Sequence, residues 1–496
     1  MKKDAFFKMM AESGMALAYD DLRLKTGYSE TNPADAILTS RFSRNVPLNV
    51  PIVSAAMDTV TEVFMAIAMA KNGGLGIIHR ALAFEAQASQ VKRVKLHLNG
   101  CIENPICVNI NDTISEIEER RHRNGFSFNS FPVLDNEGKV VGLITQNDFD
   151  LANDNALPAG KMMTPFADLV TAKSDTTLKQ AYDLLRQARK KVLPLLNESG
   201  GIAGMYALSD VKRLLEGSST LFNVDQDGHL RVGAAIGANE HELERATALI
   251  EAGCDVLVVD TAHGNSKNVY TIIKKLKTQY PQVDIVAGNV SEGDSAKHLA
   301  MAGVDGVKVG QGPGSICTTR IVAGIGCPQA TAVYECAKAL RGTGVPTCAD
   351  GGIKNSGDVP IALGLGADSV MLGRVLAGTD EAPGEIRDTP QGRVKVYRGM
   401  GSLPALKASR ASRERYRQND DITKLVPEGI ESVVPYDGKV AYVLVKYVGG
   451  LRSGMGYVGA DTIAELQEKA NFWRISTAGL TESHPHDVII TDSSAK

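Results

Sequence analysis

Short unbroken apolar runs recur along this chain, each closing on a small or polar residue and each followed by enough sequence for a helix. In order they are 51–57 (PIVSAAM), 75–79 (LGIIH), 232–236 (VGAAI), 256–260 (VLVVD), 285–289 (IVAGN), 307–310 (VKVG), 345–350 (VPTCAD) and 369–373 (SVMLG). Runs without polar alternation suit parallel strands covered on both faces. Three follow a near-repeat: EAGCDVLVVD, MAGVDGVKVG and GLGADSVMLG. In each, a helix is expected to end at the Gly and a strand to begin two or three residues later. An open, doubly wound sheet fits this α/β alternation equally well. The count of eight favours closure into a (β/α)8 TIM barrel.

The spacing is uneven, because a duplicated pattern lies between LGIIH and VGAAI. Its first copy reads TISEIEERRHRNGFSFNSFPVLDNEGKVVGLITQNDF and its second TLKQAYDLLRQARKKVLPLLNESGGIAGMYALSDV. Each predicts a helix, a strand before a Gly turn, a second strand and an Asp-started helix. A repeat inserted whole into a barrel loop predicts a separate domain. The expected division is a barrel over 1–100 and 218–496, interrupted by an insert over 101–217 whose copies span about 101–158 and 159–217. The insert resembles a tandem pair of cystathionine-β-synthase-type (CBS) modules, which implies binding of ATP or GTP. Asp148 and Asp210 occupy the position that contacts ribose in such modules, and GIAGMYALSD in the second copy departs from the usual GLIT-type residues.

Composition narrows the partners. With 22% charged and 43% hydrophobic residues, the 496-residue chain has the profile of a soluble globular protein. Its net charge of −3 carries no basic footprint, so no nucleic acid is expected. No apolar run approaches the roughly 18 residues of a membrane span. The N-terminal MKKDAFFKMMAESGM lacks the apolar segment of a secretory signal. Seven scattered cysteines form neither paired zinc spacing nor a disulfide framework, so a reduced, cytoplasmic protein is expected.

In a barrel, reacting groups collect where strands end, at the C-terminal rim. Those ends supply Met57-Asp58, His79, Asp260, Asn289, the loop 311–319, Asp350-Gly351-Gly352 and Gly373-Arg374. Loops after the seventh and eighth strands commonly hold phosphate, and here they read ADGG and LGR, with glycine baring N–H groups for an anion. Cys317 follows the sixth strand within GQGPGSICTTRIVAGIG. A lone cysteine is usually structural, but this one combines a rim position with glycines at 312 and 314 that permit close approach. The other six are expected within strands, helices or the insert. The polar stretch 399–439 reads as a long loop of the kind used for lids, with four arginines, Arg410, Arg413, Arg415 and Arg417, inside it.

SAAMDTVTE, GNV, GPGSICTTR, ADGGIKNSGD, YRGMGSL, KLVPEGIE and GGLRSGMGYVGA together resemble the inosine-5′-monophosphate (IMP) dehydrogenase family, over essentially the whole chain. That resemblance implies NAD+-dependent oxidation of IMP to xanthosine 5′-monophosphate (XMP), with Cys317 as nucleophile. It implies a mobile flap over about 402–438 whose Arg415 and Tyr416 serve hydrolysis, Arg415 as base, and a second proton route through Thr319 and Glu428. Ser315, Gly352, Gly373, Tyr397 and Arg374 would hold the phosphate and Asp350 the ribose. Met57, Asn289, Met400, Gly401 and Glu428 would surround the base. Asp260, Thr261, Ala262, Gly310 and Gly312 would meet NAD+. A potassium ion would sit on Gly312, Gly314 and Cys317 with Glu482, Ser483 and His484 of a neighbouring copy, which implies a homotetramer and leaves octamers open.

Three positions depart from the family pattern: Gln311 stands for an aliphatic residue, Arg374 for a Ser seen in some members, and Ala55 for a residue with a hydroxyl. Two rivals remain. GMP reductase shares the barrel, cysteine loop and Thr–Glu pair and uses NADPH, but does not require the Arg415–Tyr416 pair. A catalytically silent nucleotide sensor conflicts with the intact Cys317.

Overall fold

The structure, a computed structural model, describes residues 2–97, 101–102, 105–124, 130–150, 154, 156–216, 221–418 and 421–488. The chain forms two compact units, Met1–Lys95 with Leu221–Lys496, and Leu96–Thr220. The boundaries expected at 100/101 and 217/218 touch residues outside the described set.

In the larger unit all eight apolar runs form strands. These are β1 (Ile52–Ser54), β2 (Leu75–Ile78), β3 (Gly233–Ile236), β4 (Val256–Asp260), β5 (Asp284–Val290), β6 (Gly306–Val309), β7 (Thr347–Asp350) and β8 (Ser369–Leu372). They pair in parallel as a closed barrel. Closure comes from β8 on β1, with Val370 opposite Ile52 and Leu372 opposite Ser54. The open sheet is thereby excluded. β4, β6 and β8 each begin three residues after Gly253, Gly303 and Gly366, as the near-repeat predicts. Between β3 and β4 runs helix α1 (Glu242–Glu251).

The barrel interior is packed by Val53, Leu75, Ile77, Ala235, Val256, Val258, Val286 and Met371. Phe42, Val46 and Leu48, on the hairpin formed by Ser40–Arg41 and Pro47–Leu48, join this core at the N-terminal ends of the strands. Asp284 fixes that plug, accepting from the Ser43 hydroxyl at 2.6 Å and the Asn45 N–H at 2.8 Å. Each large side chain fully buried here contributes about 1.5–3 kcal/mol. The filled N-terminal end leaves the opposite rim for chemistry.

The stretch 399–439 is not the single long loop expected. After β8 the chain builds a three-stranded antiparallel sheet of β9 (Ile386–Thr389), β10 (Gly392–Arg398) and β11 (Glu431–Pro435). Between β10 and β11 lie helices α2 (Leu403–Ala408) and α3 (Arg410–Arg415). These elements bury few apolar side chains: Tyr397 in β10, Ala405 and Leu406 in α2, Val434 in β11 and none in α3. Hydrophobic periodicity therefore had almost nothing to report. Two cysteines also differ from expectation, since Cys254 and Cys327 lie in loops. Cys254 is buried all the same, its thiol 3.2 Å from the Val256 carbonyl.

In the smaller unit there are two four-stranded sheets, each with three strands from one copy of the repeat and an edge strand from the other. One runs Thr164–Pro165, Val140–Ile144, Phe131–Leu134, Val108–Asn109, and the other Ala172–Lys173, Val192–Leu196, Ile202–Ala207, Cys101–Ile102. Each has a central antiparallel hairpin with a parallel strand beside its first arm. Among the described residues, no helix is long and apolar enough to cross a membrane.

Candidate active site

The cysteine loop leaves β6 pressed against β7: a Cβ on Gly310 would lie 2.1 Å from the Asp350 carbonyl oxygen. The loop then folds on itself, the Cys317 N–H donating to the Gly314 carbonyl at 3.0 Å. It is stitched to the segment before β11, with Thr318 N–H donating to Glu428 O and Ile430 N–H to Ile316 O, both at 3.0 Å. This pairing, distant in sequence, brings Glu428 to the cysteine loop, so that both line one cavity. The Cys317 thiol itself lies 3.2 Å from Thr319 Oγ1, to which it donates.

Around the loop opens a cavity of about 190 Å³. It is lined by Met57, Asp260, Thr261, Ala262, Asn289, Gly310, Gly312, Gly314, Ser315, Cys317, Thr319, Asp350, Gly352, Gly373, Arg374, Tyr397, Met400, Arg415, Tyr416 and Glu428. Small-molecule pockets usually measure about 300–1,000 Å³. This one is smaller with the Arg415 and Tyr416 side chains inside it. Gly401 does not line the cavity but underlies Tyr416, where an added Cβ would come within 2.6 Å of the ring. Glu482, Ser483 and His484 lie elsewhere, exposed at the end of the helix Thr477–Glu482. Two rim residues also turn away from the cavity. Asp58 accepts from Arg398 Nε at 3.0 Å, and His79 Nε2 lies 3.3 Å from Glu62.

One residue at the centre of the site was not singled out from the sequence. Lys308, in the middle of β6 and 2% exposed, points its ammonium at three strand ends at once. It lies 2.7 Å from Asp350 Oδ2 and 2.9 Å from Asp260 Oδ1, and donates to Asn289 Oδ1. Asn289 completes the cluster by donating to Asp350 Oδ2 at 2.9 Å. A buried charge persists only when paired in this way. A lysine inside the apolar run VKVG was the available signal.

Gln311 also finds its reason. Its amide donates to the Ala262 carbonyl at 3.0 Å, and its carbonyl accepts from Ser291 Oγ at 2.8 Å. An aliphatic residue could make neither bond, so the departure ties the cysteine loop to the segment after β4.

Of the four arginines, only Arg415 enters the cavity, and its guanidinium contacts Asp260. Its own carbonyl accepts from the Ala262 N–H at 3.2 Å. Burial pushes the Arg415 guanidinium below its ordinary value, and the nearby Arg80 acts in the same direction. The Asp260 carboxylate opposes both by favouring the charged form. Burial pushes the Tyr416 phenol up, against the pull of Arg415, and pushes Tyr397 up as well.

A family model described as IMP dehydrogenase / GMP reductase domain matches residues 16–486. Inosine-5′-monophosphate dehydrogenase of Aquifex aeolicus is 48% identical over 96% of this chain and 96% of its own length. The enzyme of the same name from Escherichia coli is 44% identical over 97% of each. Among solved structures, a GMP reductase variant from Trypanosoma brucei in complex with guanosine 5′-monophosphate superposes with a TM-score of 0.84. It is 40% identical, over 96% of this chain and all of that one. With a match that spans barrel, insert and cysteine loop alike, this chain belongs to the IMP dehydrogenase / GMP reductase family.

Proposed function

We propose that this chain oxidises IMP to XMP with NAD+, in guanine nucleotide synthesis, through a thioimidate on Cys317 that water then hydrolyses. The convergence of Cys317, Thr319, Glu428 and the Arg415–Tyr416 pair on one rim cavity carries this reading. The Cys317 thiolate adds to C2 of the hypoxanthine, and a hydride leaves that carbon. NAD+, when bound, accepts it. Water then attacks C2, Arg415 takes a proton from the water, and the C–S bond breaks to return the thiol. The balance is IMP, NAD+ and water to XMP, NADH and a proton. Burial of Arg415 acts in the direction a base requires, and the Asp260 carboxylate acts against it. Thr319, in contact with the thiol, and Glu428 form the second proton route.

Asp350 holds the ribose hydroxyls, a role its acceptor-only carboxylate suits, and Lys308 and Asn289 fix its orientation. Ser315, Gly352, Gly373, Tyr397 and Arg374 take the phosphate; Met57 and Met400 bracket the base, and Gly401 supports it only through Tyr416. The NAD+ subsite is supported by placement: Asp260, Thr261, Ala262, Gly310 and Gly312 all line the cavity, with the buried Asp260 carboxylate in its wall. Arg415 contacts the same carboxylate, so this segment and the nicotinamide riboside contend for it. That competition is what the 402–438 segment needs to act as a flap. The potassium site fits too. Of the three carbonyls expected to hold it, those of Gly312 and Cys317 accept no hydrogen bond among the described residues, whereas that of Gly314 already accepts the Cys317 N–H and would have to serve both. Glu482, Ser483 and His484 of a second copy would complete it in a homotetramer. The insert is read as a CBS pair for ATP or GTP, in which Asp148 already takes the Thr145 N–H at 2.7 Å.

The likeness to GMP reductase supports a second reading, NADPH-dependent deamination of GMP to IMP. A base and a tyrosine inside the cavity favour the first, since only hydrolysis of the thioimidate requires them. Absorbance of NADH with IMP, NAD+ and potassium tests the choice. Signal that vanishes in Cys317→Ala, while IMP still binds, supports the dehydrogenase. Silence there, with NADPH oxidised on addition of GMP, overturns it.

A further inference from the structure

Helix α3 carries a second charged residue into contact with the barrel, immediately before Arg415. Glu414, 14% exposed at its side chain, lies between groups from two rim loops. Its Oε2 accepts from Arg80 Nη1 at 3.4 Å, and its Oε1 lies 3.2 Å from His241 Nε2. Arg80 follows β2 and His241 precedes α1. Within α3 itself, Arg410 Nε approaches Glu414 Oε1 at 3.0 Å.

The barrel side of this contact is built in advance. Arg80 is 5% exposed at its side chain and is braced from behind by Glu242, at 3.6 Å. Glu242 is itself buried, accepting from the Gly237 N–H at 2.8 Å and facing Arg245 Nε at 3.2 Å. Arg80 and Arg245 thus share Glu242, and among the described residues α3 brings Arg80 its second carboxylate. Departure of α3 would leave Arg80 with one partner for an interior cation, so this corner favours the docked position. His241, Glu242 and Glu414 could otherwise face a cation, but Arg80 and Arg245 already fill that role.

We propose that Glu414 is a positioning residue that latches the 402–438 segment to Arg80 and His241, and so sets how long Arg415 and Tyr416 stay in the cavity. It touches no reacting atom and acts through its neighbour in sequence. The inference rests on the flap reading of Proposed function and adds to it the contact that governs the flap's docking. A weaker latch slows hydrolysis, which needs Arg415 inside, and leaves hydride transfer, which needs Arg415 away from Asp260.

The test compares the NADH burst with steady-state turnover in Glu414→Gln, Arg80→Met, the double variant and Arg415→Ala, all as full-length chains. Glu414→Gln is expected to keep the burst rate, lower steady-state turnover about tenfold, and lower the KM for NAD+. Arg80→Met reaches the same contact from the barrel, and the double variant should be no slower than the slower single one. Glu414→Asp should restore part of the turnover. Unchanged turnover in Glu414→Gln, an equal loss of burst and turnover, or independent effects of the two substitutions would each overturn the latch. If Arg415→Ala stalls hydrolysis and Glu414→Gln does not, the latch alone fails. Arg415→Ala with normal turnover removes the flap reading itself.

Discussion

Replacing Lys308 with Met removes one positive charge from the barrel interior and keeps most of the aliphatic stem. The ammonium lies 2.7 Å from Asp350 and 2.9 Å from Asp260, with side-chain exposures of 2%, 19% and 4% for the three residues. Removing one partner of a buried ion pair costs about 3–5 kcal/mol. Asp260 keeps Arg415, and Asp350 keeps the Asn289 amide at 2.9 Å, so the lower figure applies. At about 2 °C per kcal/mol for a large domain, the thermal midpoint should fall by about 6 °C. IMP affinity should fall about a hundredfold, because a loss near 3 kcal/mol spans two decades and falls on the carboxylate that meets the ribose. Scanning calorimetry and an IMP titration read the two effects separately. Adding Asp350→Asn removes the stranded charge, so the double variant should recover part of the midpoint and none of the affinity. A Lys308→Met protein with a midpoint within about 1 °C of the parent and IMP affinity within about threefold would refute this account of the cluster.

Gly401→Ala sets a methyl within 2.6 Å of the Tyr416 ring, and overpacking of this kind should slow steady-state turnover about tenfold while sparing the NADH burst. Gln311→Ile removes the bonds from Ser291 and to the Ala262 carbonyl that tie the cysteine loop to the segment after β4, so steady-state kinetics should show the KM for NAD+ rising about fivefold with IMP affinity unchanged. Burial pushes the Asp368 carboxyl up from 3.8 to about 6. The folded protein therefore holds a proton that the unfolded chain releases, and stability falls as pH rises from about 4 to about 6. Above that window the penalty is at most about 3 kcal/mol. Asp368→Asn should match the parent at pH 4 and melt higher at pH 7, whereas an equal displacement at both pH values would contradict the assignment.

The barrel could be read from the chain because its strands are covered on both faces, and burial of that kind leaves a continuous apolar run. The cysteine loop was equally plain, since glycine, cysteine and threonine crowd into one short segment at a strand end. What stayed hidden was made by pairing between distant segments. Lys308 is an ordinary lysine until β4, β5 and β7 bring Asp260, Asn289 and Asp350 around it. Glu428, named only through the family resemblance, reaches the cysteine loop through backbone pairing of 428–430 that its own residues did not announce. Asp58 and His79 show the reverse case, as residues at strand ends whose partners draw them away from the cavity. The elements between 399 and 439 escaped notice because they are polar on nearly every face and are held by docking onto the barrel.

The central claim is that Cys317 carries the purine as a covalent intermediate and that Arg415 releases it. Peptide mass spectrometry of Arg415→Ala, quenched after mixing with IMP and NAD+, tests both parts at once. The account predicts one equivalent of NADH and a nucleotide adduct on the peptide bearing Cys317. Unmodified Cys317 after NADH has been released, or an adduct on another cysteine, would contradict it.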